Sequence, residues 1–291
     1  MNSTQKIFSV IDYNLDATLT SGQAFRWKRH GNGWVGIIGN RWVQLQSKGT
    51  ELLAQCAEPV ADWDWLTHYL QLDLDLREVV ATFPSDLAMR SAVNACQGLR
   101  LLRQDPWECL ASFILSSTKQ IVQIQQIVSL LCEKFGQPVA VPEGFPGARS
   151  FPTPERLALA SEIELRNCKM GFRAPYLLAS ARMIAEGRLN LQQLHSLSAD
   201  EARARLLELP GVGPKIADCV LLFAYGFQTA FPVDVWVMKA LRQLYFPRRR
   251  PSRLKLQGFT QNYFGRNAGY AQQYLFHYMR TRRENGTVKT N

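Results

Sequence analysis

The sequence predicts an α+β fold: a small antiparallel β-sheet domain over residues 1–85, then a mainly α-helical domain over 86–291. Three observations carry this. Up to about residue 58, Trp, Val and Ile fall in short runs broken by glycine–asparagine pairs, the rhythm of hairpins. From about residue 60, apolar residues recur at helical spacing behind capping residues. Near residue 210 a Gly-Val-Gly-Pro turn joins two such helices, giving a helix-hairpin-helix over about 199–226.

The elements follow in order. Within FRWKRHGNGWVGIIGNRWVQLQS (25–47), Asn32-Gly33 and Gly39-Asn40 are tight-turn pairs. In DPWECLASFIL (105–115), Asp105 is a helix N-cap, Pro106 fills the first position and Glu108 the third, as in a capping box. Residues 136–154, rich in Pro and Gly, form the long loop. Thr153 and Pro154 open the next helix, and Gly171 and Gly187 fall where helix ends favour glycine. Ser198 with Glu201 starts another helix, whose apolar face includes Leu206, Leu207 and Leu209.

Composition narrows the function. With 291 residues, 46% hydrophobic and 20% charged, the chain is long enough for two packed cores and is not of disordered type. No apolar run approaches the roughly 18 residues of a membrane span, and MNSTQKIFSVIDYNLD has no signal-peptide pattern, so secretion is not expected. The six cysteines (56, 96, 109, 132, 168, 219) are scattered without a C-x-x-C pair, which disfavours a zinc or thioredoxin site and fits reduced thiols. No metal and no cofactor are expected. The net charge of +10 suits a polyanionic partner, although a solvated basic surface explains it equally well. FPRRRPSRLK (246–255) is the densest basic run, facing phosphates or solvent.

In LPGVGPKIADC (209–219), Lys215 is the second residue of a helix, where the backbone's partial positive charge repels a cation. A nucleophilic amine must be neutral, whereas free lysine has a pKa of about 10.4. A helix amino terminus and partial burial both destabilise an ammonium, so the placement suits a Schiff-base lysine. The alternative is a solvated lysine paired with Asp218. Gly211, Val212 and Gly213 form a turn with uncovered amides that suits a phosphate oxygen, or else a plain helical corner. Asp234, opening the next helix, is either only its N-cap or also a carboxylate beside developing positive charge.

Seven segments in order then resemble the 8-oxoguanine DNA glycosylases of the helix-hairpin-helix–GPD superfamily: LTSGQAFRW (19–27), YLQLDLDL (69–76), DPWECLASFILSS (105–117), GFRAPYLLASA (171–181), LPGVGPKIADC, PVDV (232–235) and GYAQQYLF (269–276). By that resemblance Lys215 displaces the damaged base and forms an imine with the sugar, assisted by Asp234. The imine makes the C2′ proton acidic, so the 3′ phosphate leaves. Cys219 pairs with the lysine, charged or dipolar, beside the oxidised purine; a buried small hydrophobe is the plainer role. Gly22 offers its carbonyl to the N7–H that normal guanine lacks. Gln272 and Phe276, four residues apart on one helix face, bond the flipped base's edge and stack on its ring. Phe172 and Arg173 are the wedge and the arginine inserted into the duplex. The implied partner is double-stranded DNA containing oxidised guanine, bound by a monomer in the cytoplasm of a bacterium, or in the nucleus of a eukaryote.

Some positions depart from the eukaryotic pattern. Thr118, Lys119 and Gln120 replace an asparagine run, and Gln123 replaces an arginine that reads the orphaned cytosine. Phe172 stands for tyrosine and Trp236 for histidine. With Thr118, Gln123 and Trp236 at DNA-contacting positions, a weaker preference for cytosine opposite the lesion is expected, as in a bacterial-type member. Among rivals, an iron–sulfur glycosylase is excluded because no cysteine follows Cys219. An alkylpurine glycosylase lacks the lysine, and a non-catalytic DNA-binding module needs neither Lys215 nor Asp234.

Overall fold

The computed structural model describes residues 3–248 and 251–287. The chain runs β1 (Ser3–Ser9), α1 (Leu15–Thr20), β2 (Lys28–His30), β3 (Gly33–Ile38), β4 (Arg41–Lys48) and β5 (Glu51–Val60). It continues with α2 (Asp64–Leu70), α3 (Leu76–Val80), α4 (Leu87–Ala95), α5 (Pro106–Leu115), α6 (Ile121–Phe135), β6 (Pro138–Val139) and β7 (Ala148–Arg149). The remaining helices are α7 (Pro154–Ala158), α8 (Glu162–Leu165), α9 (Ala174–Ala185), α10 (Ala199–Leu207), α11 (Pro214–Val220), α12 (Val235–Ala240), α13 (Arg253–Tyr263) and α14 (Ala268–Thr287). A small antiparallel sheet followed by a mainly helical region is thus what the sequence builds.

The five strands pair in the order β1-β5-β4-β3-β2, all antiparallel. On β5 every second residue, Leu52, Ala54 and Cys56, is buried, as the two-residue side-chain period requires. These pack with Val43, Leu45, Leu66, Leu70, Trp27 and Leu102 into one core. The helices share a second core around α5, which is buried at every position but Glu108 and so can only be an interior helix. Helix α14 returns across this core: the Tyr274 hydroxyl donates to Leu99 O at 3.0 Å, and that of Tyr270 accepts from Leu101 N at 3.2 Å. Among the described residues no helix is long and apolar enough to cross a membrane.

Four local expectations change. The β2–β3 turn is Gly31-Asn32, one residue before the expected Asn32-Gly33 pair. The strand region contains the short helix α1, capped by Asn14, whose side chain accepts from Ala17 N at 2.8 Å. Asp105 caps α5, accepting from Glu108 N at 2.8 Å, but the Glu108 carboxylate does not close the box. It pairs at 3.2 Å with Arg26, whose charge is enclosed and needs a counter-ion more than the helix needs a second cap. Leu206 and Leu209 are buried, whereas Leu207 turns outward, 41% exposed. The 136–154 loop is pinned by the β6–β7 pairing.

Candidate active site

The hairpin is set by local rules. Ser198 and Glu201 form a full capping box at the start of α10. Gly211 has φ +79°, and a Cβ there would lie 2.7 Å from Tyr176 Cβ, so both conformation and contact demand glycine. Gly213 is different: its φ of −99° and ψ of 178° are ordinary extended values. What it contributes is bareness, since no side chain caps α11 and open space lies where a Cβ would stand. Val212 is buried and anchors the turn. Pro214 then fills the first helical position and Lys215 the second.

The half-buried Lys215 points back to the end of α5. Its Nζ donates to Ser116 Oγ at 3.3 Å and lies 4.9 Å from the centre of the Phe113 ring. Ser116 spends its own proton on Phe113 O, at 2.7 Å, leaving its lone pairs for the amine. The alternative partner, Asp218, is taken: Arg203 holds it at 2.9 Å. Among the described residues Lys215 forms no ion pair.

Cys219 lies one turn further along α11 and is buried. Burial pushes its thiol up to about 12, with Lys215 pulling the other way and Asp234 adding to the rise. Asp234 caps α12, its Oδ1 accepting from Val237 N at 2.8 Å. Burial raises its carboxyl above the usual range, while the Val237 amide and the Lys215 charge oppose the rise. Lys215 thus acts electrostatically on both Cys219 and Asp234, and the three belong to one site.

The base-binding candidates also meet. A Cβ on Gly22, whose φ is +76°, would lie 3.4 Å from Phe276 Cε1 and 2.8 Å from Ile121 Cδ1. Phe276 is half-buried at the edge of the helical core. Gln272, one turn earlier on α14, is 3% exposed, and its Oε1 is enclosed with no hydrogen-bond partner among the described residues. An unpaired enclosed acceptor costs about 1–3 kcal/mol, a cost that a ligand donor would remove. Cavities of about 620 Å³ between β3 and α6 and about 520 Å³ beside α1 are lined by none of Lys215, Cys219, Asp234, Gln272 or Phe276.

Comparison with known proteins now bears on this arrangement. The family model described as "8-oxoguanine DNA glycosylase, N-terminal domain" matches residues 7–110, and "HhH-GPD superfamily base excision DNA repair protein" matches 111–264. The N-glycosylase/DNA lyase OGG1 of Arabidopsis thaliana is 32% identical over 283 residues, spanning 91% of this chain and 77% of that protein. The chain belongs to the 8-oxoguanine DNA glycosylase family. The Clostridium acetobutylicum 8-oxoguanine glycosylase/lyase, solved with double-stranded DNA containing cytosine opposite 8-oxoG, has a TM-score of 0.89. It shares 32% identity over 96% of this chain and 98% of its own. MBOgg1 with a low-affinity DNA ligand reaches a TM-score of 0.91 at 34% identity, over 97% of both chains. A 3-methyladenine DNA glycosylase from Archaeoglobus fulgidus, at 22% identity and a TM-score of 0.79, shares the fold alone.

The other candidate DNA contacts of this glycosylase are more dispersed. Phe172 is 54% exposed. Arg173 is not extended toward solvent; it is 3% exposed and folded back. Its Nε donates to Ser117 O at 2.8 Å, Nη1 to Met170 O at 3.1 Å and Nη2 to Thr118 Oγ1 at 2.6 Å. Gln123 is exposed but occupied, its Oε1 accepting from Gln120 N at 3.1 Å in the capping box of α6. Trp236, half-buried, has Lys239 Nζ 5.7 Å from its ring centre. Of the basic run 246–255, Arg249 and Arg250 lie outside the described residues. Sequence reasoning missed two residues here, Ser116 and Ile121. Ser116 stood within the quoted DPWECLASFILSS, but nothing in spacing marked it as the lysine's partner.

Thr118 has φ +56°, a left-handed conformation that a β-branched residue adopts only under strain. Thr118→Asn is therefore expected to stabilise the glycosylase by about 1 kcal/mol, read as a higher urea midpoint. An unchanged or lower midpoint would contradict this.

His277 supplies a second check. Burial and the Arg280 charge push its imidazole down to about 4. The folded chain leaves it neutral while the unfolded chain takes up a proton below about pH 6.5. Its contribution is thus complete above pH 6.5 and is lost as pH falls toward 4. Wild type is expected to lose about 3 kcal/mol more than His277→Asn across that window, measured by urea unfolding at stepped pH.

Proposed function

We propose that this chain excises 8-oxoguanine from duplex DNA and nicks the strand at the resulting sugar, acting as a monomer in the compartment that holds the DNA. The damaged nucleotide leaves the stack and enters the site between Gly22 and Phe276, where Gln272 Oε1 accepts from the base's edge. Because Ile121 rests against Gly22, the incoming base displaces that side chain. Lys215 Nζ then bonds to C1′ as the C1′–N9 bond breaks, and the base departs with the electron pair. The nitrogen sheds a proton, and its lone pair then breaks the C1′–O4′ bond; O4′ takes up a proton as the sugar opens, leaving a protonated imine, the iminium, at C1′. Loss of the C2′ proton from the iminium expels the 3′ phosphate and cuts the strand. The hairpin amides around Gly213 grip a phosphate nearby, and Phe172 fills the gap in the duplex.

One observation carries this reading: the amine is held by a hydroxyl and an aromatic face, not by a carboxylate. With no ion pair to break among the described residues, these partners orient the amine and leave it free to reach C1′. Duplexes with one defined lesion each, opposite every normal base, test it. Release of 8-oxoguanine with strand cleavage is expected, and release of alkylated purines alone would overturn it. Opposite Thr118 and Gln123 we propose a weak cytosine preference, with rates within about tenfold for all four partners; a bias near a hundredfold, on the scale of strong hydrogen-bond readout, would reject it.

A further inference from the structure

Helix α14 touches the loop that carries Gly22 along a second stripe, one residue round from Gln272 and Phe276. Gln273 Nε2 donates to Ser21 O at 2.8 Å, and Arg280 Nη2 donates to Thr20 O at 2.5 Å. From the other side the Gln23 amide donates to Thr18 O at 3.0 Å and Arg100 O at 2.8 Å, and accepts from Leu102 N at 2.8 Å. Gln104 Nε2 donates to Gln23 O at 2.8 Å. Among the described residues, the carbonyls of Thr18, Thr20, Ser21 and Gln23 all accept side-chain hydrogen bonds, and that of Gly22 accepts none.

A glycine peptide between unrestrained neighbours can flip, exchanging the direction of its carbonyl for that of the following N–H. Here such a flip would present Gln23 N–H, a partner for the N7 acceptor of normal guanine, where Gly22 C=O would have repelled it. Selection against guanine therefore depends on what stops the flip. Gly22 cannot supply this itself, having no side chain.

We propose that Gln273 and Arg280 are positioning residues for lesion selectivity. By anchoring the two peptides before Gly22, they keep its carbonyl aimed at the base. This rests on the reading of Gly22 as the acceptor for N7–H. The same helix thus fixes the stacking ring of Phe276 and, through the loop, the carbonyl that tests N7. Neither positioning residue touches the sugar, so nicking of a preformed abasic site does not require them.

The test compares single-turnover excision of 8-oxoguanine with nicking of a preformed abasic duplex, in wild type, Gln273→Leu, Arg280→Met and Arg280→Lys. The ratio of excision to nicking is expected to fall about tenfold or more in Gln273→Leu and Arg280→Met. Nicking should stay within about twofold, and Arg280→Lys, which keeps a donor, should restore the ratio. An unchanged ratio in variants that nick normally overturns the proposal. So does a parallel loss of both activities, because that marks a purely structural role. If wild type itself releases no 8-oxoguanine while nicking abasic sites, the functional reading fails instead, and the inference falls with it.

Discussion

Lys215→Gln is expected to lower excision of 8-oxoguanine by at least about a thousandfold and to abolish the covalent protein–DNA adduct trapped by borohydride. Glutamine retains a hydrogen-bond donor near Ser116 but has no amine to bond to C1′. The loss therefore falls on the chemical step. Helix α11 should be undisturbed, because Lys215 makes no ion pair among the described residues and Pro214 continues to start the helix. DNA binding should survive, since the hairpin backbone and Phe172 are untouched. The outcome separates a covalent enzyme from a DNA-binding module of the same shape. A binder traps no adduct in either protein, and an enzyme that activates water keeps base release in the variant. Persistence of the adduct in Lys215→Gln would move the nucleophile to another amine and dismantle the arrangement of Lys215, Cys219 and Asp234.

What the sequence disclosed divides along physical lines. The hairpin, its capping box and the positions of Lys215 and Asp234 were readable because caps, tight turns and helical spacing act over a few residues. The partners that give these residues their chemistry lie far off in the chain. Ser116 is 99 residues from Lys215, and Gln273 is 252 from Ser21. No local rule encodes such a meeting. The same holds for Glu108, which matched a capping-box pattern but pairs with Arg26, 82 residues away. Arg173 shows another limit: the resemblance implied a side chain inserted into the duplex, whereas the carbonyls of Ser117 and Met170 and the Thr118 hydroxyl hold it folded back. Gly213 shows a third, since a glycine in a turn need not be there for its dihedral angles.

Asp234→Asn separates capping from catalysis. Asparagine caps helices about as well as aspartate, so α12 should keep its bond to the Val237 amide. The folded protein already disfavours the charge, because burial raises the Asp234 carboxyl above its ordinary range. A raised carboxyl contributes stability fully at low pH, where it is protonated in both states' common form, and loses it as pH rises through its folded value. Removing the charge should therefore leave the melting temperature at neutral pH equal or higher. Excision should nonetheless fall by about a hundredfold to ten-thousandfold, the range for losing a positioned proton acceptor or charge stabiliser. The carboxylate opposes positive charge as the C1′–N9 bond breaks, and an amide cannot. The pH profile gives the independent sign. Wild-type excision should decline on the acid side as Asp234 takes up its proton, at a higher pH than an ordinary aspartate would, and that part of the decline should vanish in the variant. A variant that melts as wild type does and excises at the wild-type rate would leave Asp234 a helix cap and nothing more.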